Sequence, residues 1–203
     1  MTPCSVLVLA GGRSRRFGRD KLDADWRGGT LRDHVVGRVA ELSDDLVVLT
    51  AHGSTEPDEP RRGVRVLADS ADWPGPLIAV EAGLRVARHD LALIVAADMP
   101  VVPMRILELL LVELQEEGRA MVGLTVEGRI EPLPVAVRRD VVLAALADLV
   151  KSGARRLGAV RDLPGAFGIA EADWRLLDVK GDSLRDIDTE DDLQSLLAQP
   201  AED

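Results

Sequence analysis

The sequence is poor in cysteine and in aromatic residues, and each shortage excludes a class of protein. The single cysteine, Cys4, rules out an intramolecular disulfide, and no cysteine and histidine cluster has zinc-ligand spacing. Two phenylalanines, three tryptophans and no tyrosine leave no aromatic platform on which single-stranded bases could stack. The predicted core is therefore aliphatic, and Cys4 is predicted to be a buried strand residue.

Charge and hydropathy exclude two further kinds of partner. A net charge of -10 argues against general affinity for nucleic acid, which depends on many spread cations. No apolar run approaches the roughly twenty residues that cross a bilayer, and the N-terminus lacks the pattern of a signal peptide. We therefore expect no nucleic-acid partner, no membrane insertion and a cytoplasmic protein, folded as a single domain over residues 1–203.

A local cluster of cations lies near the N-terminus of this acidic chain. Residues 6–21 read VLVLAGGRSRRFGRDK, in which five apolar residues, typical of a strand buried on both faces, lead into two glycines. Four arginines and a lysine follow within nine residues: Arg13, Arg15, Arg16, Arg19 and Lys21. Because glycine lets main-chain N–H groups approach a phosphate closely, this loop predicts a bound polyanion such as a nucleoside triphosphate.

The spacing of this loop differs from two common phosphate-binding motifs. A P-loop needs Gly-Lys-Ser/Thr, but Arg19 follows Gly18, and neither Ser nor Thr follows Lys21. The dinucleotide fingerprint G-x-G-x-x-G is also missing, because the glycines stand at positions 11, 12 and 18. The alternative interpretation is a surface hairpin in an arginine-rich chain.

Apolar runs and helical periodicities alternate along most of the chain. Strands are predicted at about 6–10, 46–49, 64–67, 91–96, 120–125, 133–137, 174–179 and 184–188. Helices are predicted at about 31–42, 77–87, 103–117, 141–151, 153–163 and 189–197. This alternation predicts an α/β fold, a Rossmann-like three-layer α/β/α sandwich with a mainly parallel sheet.

Acidic residues follow two of the predicted strands. Asp69 comes after the third strand, and Asp98 comes after the fourth, which is the most hydrophobic. Ligands of open α/β sheets bind outside the carboxyl ends of the strands, so we expect both acids to lie near the basic loop. There Lys21 would hold phosphates, Asp98 would hold a Mg2+ that bridges phosphate oxygens, and Asp69 would face the base. A carboxylate matches the adjacent N1–H and N2–H2 donors of guanine, which favours GTP.

Each of these residues also has an interpretation without function. Asp69 could cap a loop, Asp98 could merely end its strand, and Lys21 could be a surface lysine. Near the C-terminus, Asp186 and Asp188 could complement the N-terminal charge of the last helix.

Taken together, the motifs resemble the molybdenum cofactor guanylyltransferases within the nucleotidyltransferase superfamily. The resemblance rests on LAGGRSRRFGRDK at 9–21, DS at 69–70, PGPL at 74–77, DMP at 98–100, EPL at 131–133 and DIDT at 186–189. It covers nearly the whole chain. The first motif is shared by sugar-phosphate, cytidylyl and pterin nucleotidyltransferases, whereas Asp20-Lys21, Asp69 and EPL point to the pterin branch. The implied fold is the nucleotide-diphospho-sugar transferase type, as one nucleotidyltransferase domain.

The resemblance implies a role for each matching position. Nucleotide-binding residues are expected at Leu9, Ala10, Gly11, Gly12, Lys21, Asp69 and Asp98, and catalytic residues at Lys21, Asp98 and Arg16. Asp98 is the expected metal ligand with Asp188 as a further candidate, and Asp186 and Asp188 are candidates for acceptor binding. The nucleotide is expected within about residues 1–100 and the acceptor within about 101–199.

Several positions depart from the family pattern. Phe17 stands where methionine is usual, His52 lies about where an asparagine is expected, and Ile78 begins a stretch where Ala-Gly is usual. Asp186 and Asp188 replace a typical Asn-x-Asn pair.

The reaction implied by the resemblance is transfer of GMP from GTP to molybdenum-bearing molybdopterin, with Mg2+ as cofactor and release of pyrophosphate. A molybdoenzyme or its chaperone is a candidate protein partner. One alternative is cytidylyl or other nucleotidyl transfer to a related pterin or an isoprenoid-phosphate acceptor. The other is a protein of the same fold that binds a nucleotide or cofactor without turnover.

Overall fold

A mixed, mainly parallel sheet lies at the centre of the molecule. The computed structural model describes residues 2–11, 17–18, 20–51, 63–68 and 75–200. Its strands are β1 (Cys4–Ala10), β2 (Asp25–Trp26), β3 (Gly29–Thr30), β4 (Asp45–Thr50), β5 (Val64–Ala68), β6 (Leu91–Ala96), β7 (Met121–Val126), β8 (Arg129–Arg138) and β9 (Ala166–Ile169). Its α-helices are α1 (Leu31–Val39), α2 (Pro76–Val86), α3 (Met104–Leu114), α4 (Arg139–Lys151), α5 (Glu171–Trp174) and α6 (Glu190–Leu197). Short 3-10 turns lie at Lys21–Asp23, Ala40–Leu42, Leu157–Asp162 and Asp182–Leu184.

Seven of the described strands form one sheet, in the order β5-β4-β1-β6-β8-β7-β9. β1 lies near its centre and runs parallel to both β4 and β6, with Leu7 beside Val47 and Ile94. The antiparallel pairs are those that β8 makes with β6 and β7. The mainly parallel sheet predicted from the sequence is therefore confirmed.

Alternate residues of β1 enter cores on opposite faces of the sheet. Val6 and Val8 pack in the core that includes residues of α1, α3 and α6, whereas Leu7 packs with residues of α2 and α4. All three side chains are fully buried, which explains the apolar run that begins at Val6. The predicted three-layer arrangement is confirmed, and Cys4 is buried in β1 as expected. No helix in the described part of the chain is long and apolar enough to cross a bilayer.

Two strands predicted near the C-terminus are wrong. Residues 174–179 form the end of α5 and a turn, in which the Trp174 carbonyl accepts hydrogen bonds from the N–H groups of Leu177 and Asp178. Their apolar residues imitate strand alternation, but only Trp174 is buried among them. Leu184 is the last residue of a 3-10 turn, and Arg185 after it is extended. The Ile187 N–H donates a hydrogen bond to the Asp98 carbonyl, and this bond is not part of a β-sheet.

The hairpin of β7 and β8 also differs from the prediction. Glu127 and Gly128 both have positive φ and form a two-residue turn, so β8 begins at Arg129, earlier than expected. The EPL motif therefore lies inside β8 instead of before it. β9 was not predicted, because its four residues give little periodic signal. The helix predicted at 153–163 is a 3-10 turn at Leu157–Asp162.

A buried carboxylate ties several strands together at the end of the sheet opposite the basic loop. Asp45 accepts hydrogen bonds from Ser5 Oγ at 2.6 Å, from the Arg88 N–H at 2.9 Å and from Arg65 Nη2 at 2.5 Å. Burial tends to raise the pKa of the Asp45 carboxyl, but these hydrogen bonds outweigh it and hold that pKa below its ordinary value. The charged form of Asp45 therefore stabilises the native state.

We expect Asp45→Asn to lower the free energy of unfolding by about 2 to 4 kcal/mol at pH 7, since the amide leaves Arg65 without its charged partner. The pKa of an aspartate in an unfolded chain is about 3.9 and the native pKa is lower, so the contribution of Asp45 is complete above that value. It is lost as the pH falls through the native pKa. Urea unfolding at pH 7 and at pH 3 should show the difference between the two proteins narrowing in acid.

Asp44→Asn is the matched control, because the neighbouring Asp44 side chain is 85% exposed. Its free energy of unfolding should stay within about 0.5 kcal/mol of the unmodified protein. A difference between Asp45→Asn and the unmodified protein that is the same at both pH values would contradict the assignment.

Candidate active site

The carboxyl end of β1 leads directly into the basic loop. The Leu9 carbonyl accepts a hydrogen bond from the Ala97 N–H at 2.9 Å, which aligns the end of β1 with the end of β6. A Cβ added at Gly11 would lie 3.3 Å from the Ala51 nitrogen, so glycine allows the chain to leave the sheet close to β4. Three residues expected to contact the nucleotide therefore lie at this edge of the sheet: Leu9, Ala10 and Gly11.

Lys21 begins the short 3-10 turn that follows the basic loop. The Asp20 side chain caps this turn by accepting the Leu22 N–H at 3.1 Å, and the buried Leu22 side chain anchors the turn in the core. Lys21 Nζ lies 2.7 Å from Asp98 Oδ2 and 3.0 Å from Asp188 Oδ1. The structure therefore brings together three residues that the sequence singled out separately.

The turn that carries Asp98 is held on two sides by hydrogen bonds. Arg38 Nη1, on α1, donates to the Pro100 carbonyl at 2.5 Å. The Ile187 N–H donates to the Asp98 carbonyl at 2.9 Å, and this bond places Asp186 and Asp188 beside Asp98. Neither support was predicted from the sequence. The repeated aspartates of the DIDT motif were a signal for the second, whereas nothing local marked Arg38.

The N-terminus of α6 is capped by a different acid. Thr189 Oγ1 accepts the Asp192 N–H, and the Asp192 carboxylate accepts the N–H groups of Thr189 and Asp188 at 2.7 and 3.1 Å. The predicted Thr189 cap is confirmed. Since Asp192 completes this capping box, the carboxylate of Asp188 extends to Lys21 instead.

Three carboxylates converge around the Lys21 ammonium. Asp98, Asp186 and Asp188 each offer one oxygen, and the three oxygens lie within 4.8 Å of one another. A hard divalent cation such as Mg2+ prefers oxygen ligands of this kind, so these residues fit the metal that the fold family implies. Asp186 was named as an acceptor candidate, and its place beside Asp98 and Asp188 adds it to the set that could hold the ion.

The charges of this cluster shift two pKa values in the same direction. Burial tends to lower the pKa of Lys21, but the charge of Asp98 and hydrogen bonds to Asp98 and Asp188 outweigh it and raise that pKa. Burial raises the pKa of Asp186, and the neighbouring charges of Asp98 and Asp188 raise it further. Lys21 is therefore an ammonium that lies among three acidic side chains.

Seven of the residues named from the sequence lie outside the described residues: Gly12, Arg13, Arg15, Arg16, Arg19, His52 and Asp69. Their roles stay predictions. Ile78 lies in the first turn of α2, which begins after Gly75. Gly75 has a φ of 100°, and a Cβ there would lie 2.8 Å from the Arg155 carbonyl oxygen, so this turn requires glycine.

Comparison with known proteins agrees with this arrangement. Residues 6–164 match the model of the MobA-like NTP transferase domain. Two molybdenum cofactor guanylyltransferases of Pseudomonas putida are 39% and 38% identical over 178 and 180 residues, covering 86% and 87% of this chain and 91% and 92% of theirs.

Solved structures share the fold. Molybdopterin-guanine dinucleotide biosynthesis protein A from Archaeoglobus fulgidus superposes with a TM-score of 0.77 at 22% identity, covering 94% of this chain and 95% of that one. The 2-C-methyl-D-erythritol 4-phosphate cytidylyltransferase from Thermus thermophilus has a TM-score of 0.71 at 19% identity, covering 97% and 98%. The sheet, the site at the ends of β1 and β6 and the family match over residues 6–164 lead to one conclusion: this chain belongs to the MobA-like NTP transferase family.

Proposed function

We propose that this protein transfers GMP from GTP to molybdenum-bearing molybdopterin and releases pyrophosphate. The observation that carries the proposal is the contact of Lys21 Nζ with both Asp98 and Asp188 at the carboxyl edge of the sheet. This edge is where open α/β sheets bind ligands, and a lysine beside grouped carboxylates suits a metal-bound triphosphate. The acceptor is inferred from the curated relatives, which are named for the same reaction.

In the proposed reaction, an acceptor phosphate oxygen attacks the α-phosphorus of GTP. A new P–O bond forms, the bond between the α-phosphorus and the bridging oxygen to the β-phosphate breaks, and pyrophosphate leaves. Catalysis of this kind rests on positioning and charge neutralisation, so no protein nucleophile is needed. In this proposal Lys21 and Arg16 would contact the phosphates, and the main chain of residues 9–12 would bind the nucleotide.

The carboxylates supply the metal part of the proposed site. Asp98, Asp186 and Asp188 would hold Mg2+, which supplies positive charge to phosphate oxygens when it is bound. Residues up to about 100 serve the nucleotide and, apart from Asp186 and Asp188 in the metal site, those from about 101 to 199 serve the acceptor. A cytoplasmic location and docking to a molybdoenzyme or its chaperone belong to the same proposal.

Pyrophosphate release with each nucleotide tests this function. GTP should support release only when molybdenum-bearing molybdopterin and Mg2+ are both present, and ATP, UTP and CTP should support much less. Preference for CTP would favour cytidylyl transfer. The cytidylyltransferase from Thermus thermophilus has the same fold as this chain. Tight GTP binding without release would favour the binding protein without turnover.

Base choice can be tested through Asp69, the acid proposed to face guanine. Asp69→Ala should weaken GTP binding selectively, because a carboxylate that accepts two N–H groups contributes about 2 to 4 kcal/mol. Discrimination of GTP from CTP should then fall by roughly thirty- to a thousandfold. Competition binding of GTP, ITP and CTP measures the change.

Inosine provides an internal check on the same experiment, since it keeps N1–H but lacks the exocyclic amine. With the unmodified protein, ITP should bind between GTP and CTP, and with Asp69→Ala it should approach GTP. Asp90→Ala is the control, because that side chain is 93% exposed at the opposite end of β6. Unchanged preferences in Asp69→Ala would place base recognition elsewhere.

A further inference from the structure

Lys21 occupies the oxygens that a metal ion would need. Its ammonium lies 2.7 Å from Asp98 Oδ2 and 3.0 Å from Asp188 Oδ1, and Asp186 offers its oxygen to the same cluster. The Lys21 side chain is only 12% exposed in this arrangement, so the ammonium is largely withdrawn from any ligand that arrives from solvent.

A divalent cation and this ammonium cannot use the same oxygens together. Mg2+ lies about 2.1 Å from each oxygen ligand, so an ion bound by Asp98 and Asp188 would stand within roughly 3 to 5 Å of Nζ where Lys21 now lies. Repulsion between like charges at that separation is strong even when solvent screens it.

We propose that Lys21 and the divalent cation compete for these carboxylates, so that metal binding releases the Lys21 ammonium to the nucleotide phosphates. The flexible four-carbon side chain allows Nζ to move while the backbone of the Lys21–Asp23 turn stays in place. Lys21 thus pairs with the carboxylates before the metal binds, and its ammonium contacts the nucleotide phosphates afterwards. The inference rests on the proposed function only for the identity of the phosphates.

Binding of Mn2+ alone, without nucleotide or acceptor, tests this competition. Free Mn2+ is measured by electron paramagnetic resonance in titrations of each variant. Lys21→Met keeps an unbranched side chain that is one atom shorter and removes its charge, so it should bind Mn2+ at least about fivefold more tightly than the unmodified protein. Asp186→Asn, which removes one ligand charge, should bind about tenfold more weakly.

Lys151→Met is the matched control, because Lys151 also lies near an aspartate, Asp148, but is 78% exposed. Its Mn2+ affinity should equal that of the unmodified protein. Equal or weaker binding by Lys21→Met would overturn the competition. Circular dichroism verifies that each variant is folded, and Lys21→Gln repeats the charge removal with a different side chain.

Chemical labelling gives a second readout on the unmodified protein. Acetylation of lysines by a dilute amine-reactive ester, mapped by mass spectrometry, should label Lys21 at least about threefold faster with Mn2+ than without it, since release exposes an amine whose side chain is only 12% exposed beside Asp98. Labelling of Lys151 serves as the reference. No Mn2+ effect on Lys21 would also overturn the proposal, and because neither readout uses GTP, failure of guanylyl transfer would be seen separately.

Discussion

An Asp98→Asn protein should fold normally and lose at least about a hundredfold in the rate of pyrophosphate release. An amide is a poorer ligand for Mg2+ than a carboxylate, and Asp98 is the acid that follows the strand next to β1. The turnover number should be measured across a Mg2+ titration. High Mg2+ should restore part of the rate, because Asp186 and Asp188 keep their carboxylates near the site.

The control for this experiment is Asp90→Asn. Asp90 precedes β6 as Asp98 follows it, and its side chain is 93% exposed, so its loss should leave turnover unchanged. Circular dichroism and urea unfolding establish that both variants are folded. An Asp98→Asn protein with the unmodified rate at low Mg2+ would show that this residue is not a metal ligand.

Removing the Lys21 ammonium should also have a large effect on turnover. Lys21→Ala should lower the rate by on the order of a hundredfold or more, the size expected for one lost charge contact to the transition state. Lys21→Arg should recover only part of the rate. A planar guanidinium cannot replace a compact ammonium that must fit between Asp98 and Asp188 in one state and reach phosphates in the other.

Lys151→Ala gives the comparison, since it removes one of the two other lysines of the chain from an exposed position. It should retain the full rate. The Mn2+ titration separates two causes of a defect at position 21, because the loss of phosphate contact lowers turnover while the loss of the competing charge strengthens metal binding. Normal turnover of GTP by Lys21→Ala would mean that the lysine at the end of the basic loop has no part in the reaction.

Local patterns account for the parts of the fold that were predicted correctly. The run from Val6 to Ala10 is apolar because β1 is covered on both faces, and burial of this kind is visible in a single short segment. Asp98 stood out for the same reason, as an acid directly after a buried strand. Segments 174–179 and 184–188 were wrongly predicted as strands because their composition resembles that of strands. The backbone of the first forms turn hydrogen bonds, and that of the second bonds to the Asp98 carbonyl.

The sequence by itself determined the central strand, the glycine and arginine loop, and the acids that follow strands, because chain-local burial and turn chemistry specify all three. Only the tertiary structure decided which charges meet. Lys21 and Asp188 are 167 positions apart, and they touch because α6 packs its leucines into the core while the Ile187 N–H bonds to the Asp98 carbonyl. No local pattern encodes that contact, since it depends on how distant apolar faces are buried together.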